Sequence, residues 1–459
     1  MFDLRPYQIK MLDETRSLMA SGVRSILIQS ATGSGKTVLL AHMLKSAAQK
    51  GFSSWFCVHR TELIDQSIRT FAEMQIDYGV IAASYMAHEK PLIQICSVNT
   101  LINRHHKYKK PRLIVWDECQ HLGASTWSKL FSYYPDAFHI GLSATPQRSD
   151  GKGFNDKFSS MVTGPTVEKL ITDGWLSKYK LFAPTNVDMS GVHKRMGDYV
   201  QSDLAARYDK PSITGDAIRE YKKRADEKRM LMFAVSIKHS EHCVEQFKNS
   251  GIAAKHVDGN TDRNERKQAI EDFKTGRIKV LSNVDLFGEG FDVPAAYGVI
   301  DLAPTLSLSR YLQRAGRMLR PSPDKEFAIY LDHAGNCQRH GLPCDDREWT
   351  LQGRDIRKRQ NDEKTKSVKV CETCFAAQFS GTSVCQYCGT QFEIKSRQVD
   401  EVEGELEEIS KTEAALLRKS EQGSAATLDA LVALGERRGY KRPFMWAKYV
   451  YNSRKRRGF

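Results

Sequence analysis

The chain has 459 residues, of which 41% are hydrophobic, and its 69 Lys and Arg against 55 Asp and Glu leave a net charge of +14. This length exceeds one ordinary core and predicts about three domains. No apolar run approaches the roughly 20 residues that span a bilayer and the N-terminus has no signal-peptide pattern, so the expectation is a soluble intracellular protein; the excess positive charge favours a polyanion, most simply nucleic acid, as partner.

Leu4–Gln8 precedes a predicted helix through Met19, and Arg5, Tyr7 and Gln8 either frame an adenine or simply begin a solvated helix. Ile26, Leu27 and Ile28 then form a strand that enters the small-residue loop Ser30–Thr37, after which Val38–Lys45 reads as a helix. This strand–loop–helix context is that of a phosphate-binding P-loop. Gly33, Ser34 and Gly35 bring backbone N–H groups around phosphate oxygens. Lys36 reaches the β- and γ-phosphates, and Thr37 holds Mg²⁺. Ser30 replaces the glycine that opens the strict pattern. Further strands are predicted at Trp55–Val58, Pro91–Ser97, Arg112–Trp116 and His139–Leu142, with a helix from His59 whose apolar positions Leu63, Ile64, Ile68 and Phe71 keep helical spacing. Alternating strands and helices with polar residues at strand ends predict a doubly wound parallel sheet with its ligand at the carboxyl ends. Asp117 is then placed to hold Mg²⁺, and Glu118 to orient or deprotonate a water.

A flexible turn is predicted at Asp150–Asp156 and an irregular bridge over Tyr179–Asp216. A second α/β half follows, with strands at Met230–Val235, Ala253–Val257, Lys279–Ser282, Gly298–Leu302 and Phe327–Asp332. It has no P-loop, but its helix Leu306–Met318 carries Gln313, Arg314 and Arg317, the two arginines three apart and hence on one face. They either reach a γ-phosphate across a cleft, where such a finger is worth roughly 10³–10⁵ in rate, or make surface ion pairs. Cys371-x₂-Cys374 and Cys385-x₂-Cys388, ten residues apart, form a closed tetrahedral zinc set. The chain holds ten cysteines and the other six are scattered, which argues against a disulfide framework. Glu401–Glu408 is an acidic linker. The last twenty residues hold seven basic and no acidic side chains. Their Trp446, Tyr449 and Tyr451 either contact nucleic acid or dock a helix.

In order and spacing, Ser30–Thr37, Val58–Gln66, Ser97–Leu101, Asp117–His121, Ser143–Pro146, Asp258–Gly259, Gly288–Pro294 and Gln313–Arg320 resemble the motor of a superfamily 2 helicase, over roughly the first three quarters of the chain. The resemblance implies two tandem RecA-like domains and ATP as substrate. It further implies adenine recognition by Gln8, a cleft organised by Asp292, and a nucleic-acid path along Arg60, Ser97, Asn99, Thr100 and Gly290. Ser143 and Thr145 would couple nucleotide state to the gap between the halves. At Gln120 a His or Asp is usual, and His121 follows, so the residue making the interdomain contact stays open. The Cys₄ module and basic end, with His333–Asn336 and Gly439–Tyr449, resemble the RadD-like branch of bacterial and bacteriophage helicases, which implies DNA work in a bacterial cytoplasm. The expected domains are 1–165 and 216–336 (RecA-like), 166–215 (bridge), 337–370 (connector), 371–392 (zinc) and 393–459 (acidic linker and basic tail). The expected cofactors are ATP, Mg²⁺ and Zn²⁺. The leading expectation is a DNA helicase or translocase; an RNA helicase and an ATP-switched nucleic-acid clamp are the alternatives.

Overall fold

The computed structural model describes residues 3–83, 85, 86, 88–148, 153–185, 187–195, 197–284, 286, 296–323, 325–352, 368–392, 420–422, 424–440 and 442–455. Gly290, Asp292 and the rest of the Gly288–Pro294 loop lie outside them, as do residues 150–152 of the expected turn and the acidic stretch 401–408. The chain divides into two units, 1–393 and 394–459. No described helix is long and apolar enough to cross a membrane.

The first sheet contains β1 (Ser25–Gln29), β2 (Ser54–Val58), β3 (Gly79–Ile81), β4 (Ile93–Ser97), β5 (Leu113–Trp116), β6 (Phe138–Ser143) and β7 (Ser160–Thr163), in the order β3-β4-β2-β5-β6-β1-β7. Every neighbouring pair is parallel. Runs such as Leu-Ile-Val-Trp in β5 are buried from end to end, as a sheet covered by helices on both faces requires. Registers Gln29↔Ser143, Cys57↔Trp116 and Val58↔Ser97 align the carboxyl ends of five strands, so the polar residues that follow them share one rim.

The segment Tyr179–Asp216, expected to be irregular, carries regular elements among its described residues. It contains β8 (Lys178–Phe182), a small antiparallel hairpin of β9 (Lys194–Arg195) and β10 (Asp198–Tyr199), the helix Gln201–Tyr208 and the start of the helix Pro211–Ala225. The second sheet adds β11 (Met230–Phe233), β12 (Ala254–Val257), β13 (Val280–Asn283), β14 (Gly298–Asp301) and β15 (Phe327–Asp332), in the order β12-β13-β11-β14-β15-β8, again all parallel. The edge strand β8 escapes sequence reading because its lysines look polar. In the fold, the Lys180 ammonium sits 3.8 Å from the centre of the Phe327 ring, while Leu181 is buried.

The stretch expected as a connector returns to the first half. After the helix Asn336–His340, the Tyr311 hydroxyl donates to the Gly341 carbonyl at 3.0 Å, and the Leu351 carbonyl then accepts from the Phe154 and Asn155 amides at 2.6 and 3.0 Å. The cysteine module, with β16 (Val368–Val370) antiparallel to β17 (Ala377–Phe379), packs on the second half: Ala377 joins that half's core and Ala376 bridges to Phe182 of β8. In the C-terminal unit, the helices Leu428–Arg437 and Pro443–Lys455 close around Leu431, Leu434, Ala447 and Val450.

Candidate active site

The loop after β1 turns through left-handed backbone at Gly33 (φ +84°) and Gly35 (φ +82°), conformations that glycine adopts without steric cost. Gly35 ends the turn and the helix Lys36–Gln49 begins, with Lys36 and Thr37 in its first turn. Ser30 has a local role, because its hydroxyl meets the Ser34 hydroxyl at 2.6 Å across the loop. Gln8 is fastened to the same loop: its amide nitrogen donates to the carbonyls of Ser34 (3.1 Å) and Gly35 (3.0 Å), and its oxygen accepts from the Arg5 amide (2.9 Å). The Tyr7 hydroxyl also donates to the Ser34 carbonyl, at 2.6 Å. Sequence reading missed Trp175, which lies edge-on to Tyr7 at 6.3 Å and 4.9 Å from the Arg5 guanidinium.

Asp117 follows β5 and is buried; its carboxylate accepts the Glu118 amide at 3.1 Å. Glu118 has φ +48°, a left-handed conformation uncommon outside glycine and concentrated at working sites. Its carboxylate is 3.9 Å from the Lys36 ammonium. Gln120 lies between Glu118 and the end of β6. Its amide nitrogen donates to Glu118 at 2.9 Å while its oxygen accepts the Ser143 hydroxyl at 2.8 Å. Ser143 in turn accepts the Thr145 amide at 3.1 Å, and the Thr145 hydroxyl donates to Ser309 of the second half at 2.7 Å. An amide side chain, with a donor on one atom and an acceptor on the other, suits this position. His121 turns elsewhere and packs 4.3 Å from His59 and 5.8 Å from Trp127, centre to centre. Burial pushes the Cys119 thiol well up, and the Glu118 and Asp117 charges add to that, which keeps it protonated beside the acids.

The helix Leu308–Met318 meets the loop directly. A Cβ on Gly316 would lie 2.3 Å from the Thr32 methyl, and one on Gly33 would lie 3.7 Å from the Gly316 carbonyl. Gln313 and Arg317 are buried on this helix. Arg314, expected beside Arg317 at the nucleotide, is instead built into the second half. Its guanidinium donates to Asp301 at 3.0 Å and to the Ala303 carbonyl at 2.6 Å. Asp301 also accepts the Tyr330 hydroxyl at 2.6 Å and the Asn336 amide at 2.8 Å. Three-residue spacing fixed the helix face, but a buried carboxylate on β14 captures the first arginine.

Along the same rim, Arg60 precedes the helix Thr61–Glu73 and Ser97 precedes Val98–Arg104, with Asn99 exposed and Thr100 half-buried. The paired registers of β2 and β4 bring these groups side by side. An ion pair not foreseen from sequence crosses the halves here: Arg263 donates to Asp65 at 2.7 Å, and the Tyr85 hydroxyl bonds the same carboxylate. Burial and then Asp65 push the Tyr85 phenol up to about 12.

The four cysteines form two matched turns. Phe375 (φ +59°) follows Cys374 and Gly389 (φ +74°) follows Cys388, with amide-to-carbonyl bonds Phe375→Cys371 (2.8 Å) and Gly389→Cys385 (2.9 Å). Sulfur pairs lie 3.7 Å (Cys371, Cys388) and 3.6 Å (Cys374, Cys385) apart, and all four fall within 4.8 Å. A tetrahedron with metal–sulfur bonds of about 2.3 Å requires separations of roughly 3.8 Å, so the set fits Zn²⁺. The thiols differ. The Thr390 hydroxyl holds Cys388 down to about 6, whereas burial and the neighbouring thiols push Cys374 up to about 12.

With this geometry in hand, residues 1–148 match the family "Type III restriction enzyme, res subunit" and 210–322 match "Helicase conserved C-terminal domain". A 51.5 kDa protein of a Lactococcus phage is 36% identical over 86% of this chain and 85% of its own length. DNA 3'-5' translocase XPB2 of Sulfurisphaera tokodaii is 25% identical over 69% of this chain and 80% of its own. Among solved structures, a fragment of a provisionally assigned HsdR subunit of a type I restriction enzyme from Vibrio vulnificus superposes with TM-score 0.58 at 21% identity, covering 73% of this chain and 65% of that one. The fold, the motifs and these matches agree, and the chain belongs to the superfamily 2 helicases, as an ATP-hydrolysing member.

Proposed function

We propose that the protein is an ATP-dependent DNA helicase or translocase of the RadD-like branch, in which hydrolysis between the halves drives movement on DNA. The observation that carries this reading is the unbroken relay from Lys36 through Glu118, Gln120, Ser143 and Thr145 to Ser309. It joins the group that would hold the γ-phosphate to the opposite half, so loss of that phosphate is felt across the cleft. In this reading Gly33, Ser34, Gly35 and Lys36 bind the phosphates, and Thr37 and Asp117 hold Mg²⁺, which neutralises charge on the β- and γ-oxygens. Glu118 orients the attacking water, Arg317 stabilises the transition state and Gln313 lies beside it on the helix. Gln8 recognises adenine against the Arg5–Tyr7–Trp175 group. Arg60, Ser97, Asn99 and Thr100 follow the nucleic-acid backbone, which explains why the rim carries no base-reading pattern. The four cysteines hold a structural Zn²⁺ with no open position. DNA is preferred over RNA because of the translocase name carried by the archaeal relative; the charge of +14 suits either polyanion.

The test is ATP turnover with single-stranded DNA, duplex DNA, a fork and RNA, with Glu118→Gln as the inactive control. Stimulation by DNA that Glu118→Gln abolishes is expected. Stimulation by RNA alone would overturn the DNA assignment, and tight ATP-dependent binding without turnover would favour a switched clamp.

A further inference from the structure

The C-terminal helix pair buries little. Leu431, Leu434, Ala447 and Val450 fill its seam, and Trp446 stands edge-on to Tyr440 with centres 4.9 Å apart. Gly435 permits the close crossing, since a Cβ there would come within 3.1 Å of both Pro443 and Trp446. The sequence left open whether the aromatics of this end dock a helix or meet a ligand, and the structure divides them: Trp446 docks, and others do not. On a helix packed along one side, the opposite side should be polar. Here it shows Phe444 (54% exposed), Met445 (61%) and Tyr449 (77%). Lys448 is exposed among them. The pairs Phe444–Lys448 and Met445–Tyr449 are four apart, so these side chains form one patch.

We propose that Phe444, Met445, Lys448 and Tyr449 form a stacking platform for single-stranded nucleic acid, separate from the backbone grip of the motor; this rests on the helicase reading above. Two observations select that occupant. Residues 440–459 hold seven basic side chains and no acidic one, so the complementary surface is a polyanion. Lys448 sits inside the apolar patch, where a helix lying in a lipid surface would keep its cations on the opposite face. A single strand offers both a charged backbone and unstacked base faces, and the patch presents a cation beside flat and polarisable side chains to receive them. A duplex keeps its base faces covered and gains nothing from Tyr449.

The experiment uses the full chain. Affinity for a fluorescein-labelled oligo-dT, for an abasic strand of equal length and for a duplex is read by anisotropy across a salt series, together with the strand concentration giving half-maximal ATP turnover. Tyr449→Ala should weaken oligo-dT binding roughly five- to 150-fold, the range of one stacked base. It should raise the half-maximal strand concentration in step and leave abasic-strand binding alone. Tyr449→Phe should retain the unaltered affinity, and Lys448→Gln should lower the salt slope by about 0.7. The proposal is overturned if Tyr449→Ala binds oligo-dT normally, if abasic-strand binding falls equally, if Tyr449→Phe is as weak as Tyr449→Ala, or if the patch variants lose only a protein partner. A protein whose turnover no strand stimulates would instead sink the helicase reading itself, so the two failures are distinct.

Discussion

Two arginines three residues apart on the helix Leu308–Met318 should respond differently to replacement. Arg314 neutralises Asp301, which is fully buried. Arg314→Ala would leave that carboxylate uncompensated and should cost about 3–5 kcal/mol of stability, read as a fall in the unfolding midpoint. Arg317→Ala should lower strand-stimulated turnover by roughly 10³-fold or more; unchanged turnover would remove Arg317 from the transition state. A pH effect belongs to His139. Trp116 donates its indole N–H to His139 Nδ1 at 3.1 Å, and Nε2 meets the Tyr134 carbonyl at 2.8 Å. An indole only donates, so the folded ring must be the neutral Nε2–H tautomer. Burial lowers its pKa to about 4. The unfolded chain therefore takes up the proton first, from about pH 6.5 downward. The contribution of His139 is complete above about 6.5 and is lost as pH falls to about 4, on the order of 3 kcal/mol. His239 and His333 are lowered to about 4 by burial as well and act in the same direction. His139→Gln should flatten the fall of the unfolding midpoint across that window; an unchanged slope would contradict the assignment.

At the scale of elements, the strands that end in chemistry were legible because fully buried apolar runs and the polar residues after them are written consecutively. The loop after β1, the acids after β5 and the arginine helix all fell where expected. What sequence left out depends on packing between distant segments. Nothing near Ser309 marks it as the partner of Thr145, and Trp175 reaches Tyr7 only because the β7–β8 connection folds back. The cysteine module is tied to the second half. Its Phe375 carbonyl accepts the Ala183 amide at 3.0 Å just past β8, and the Arg224 guanidinium donates to the Cys374 carbonyl at 3.0 Å while covering Phe182. The module thus covers an otherwise open sheet edge, a common hazard for association. Removing zinc with a strong chelator should speed hydrogen exchange at Ala183 and along β8 and lower the unfolding midpoint; exchange confined to 368–392 would show the module to be energetically separate.

For the motor unit, 1–393, the sheet orders fix where the halves can part. Two of its crossings between them are described, from β7 to β8 and back over 340–351, and the cysteine module lies on the second half again. Both crossings border one cavity of about 90 Å³, lined by Thr163, Gly164, Val167, Asp345 and Trp349 among others. β7 and β8 are each the last strand of their sheets, whereas the Arg263–Asp65 pair joins helices at the opposite ends, near β3 and β12. We expect the halves to open like the covers of a book, with the spine at β7 and β8. Spin labels at positions 65 and 263 should separate far more between ATP-bound and ADP-bound states than labels at 164 and 349; equal changes would mean translation instead of rotation.

A spine at that edge gives the sheet a mechanical advantage. Strands stand about 4.8 Å apart, so β1 and its phosphate loop lie about one strand spacing from β7. β4, which ends at Ser97, lies about five spacings away, or roughly 24 Å. Rotation about the spine multiplies displacement in that ratio. A shift of about 1 Å at the phosphate loop would become roughly 5 Å at the Ser97 rim. In the proposed motor, the order of seven strands would set the ratio between movement at the phosphate loop and movement at the rim.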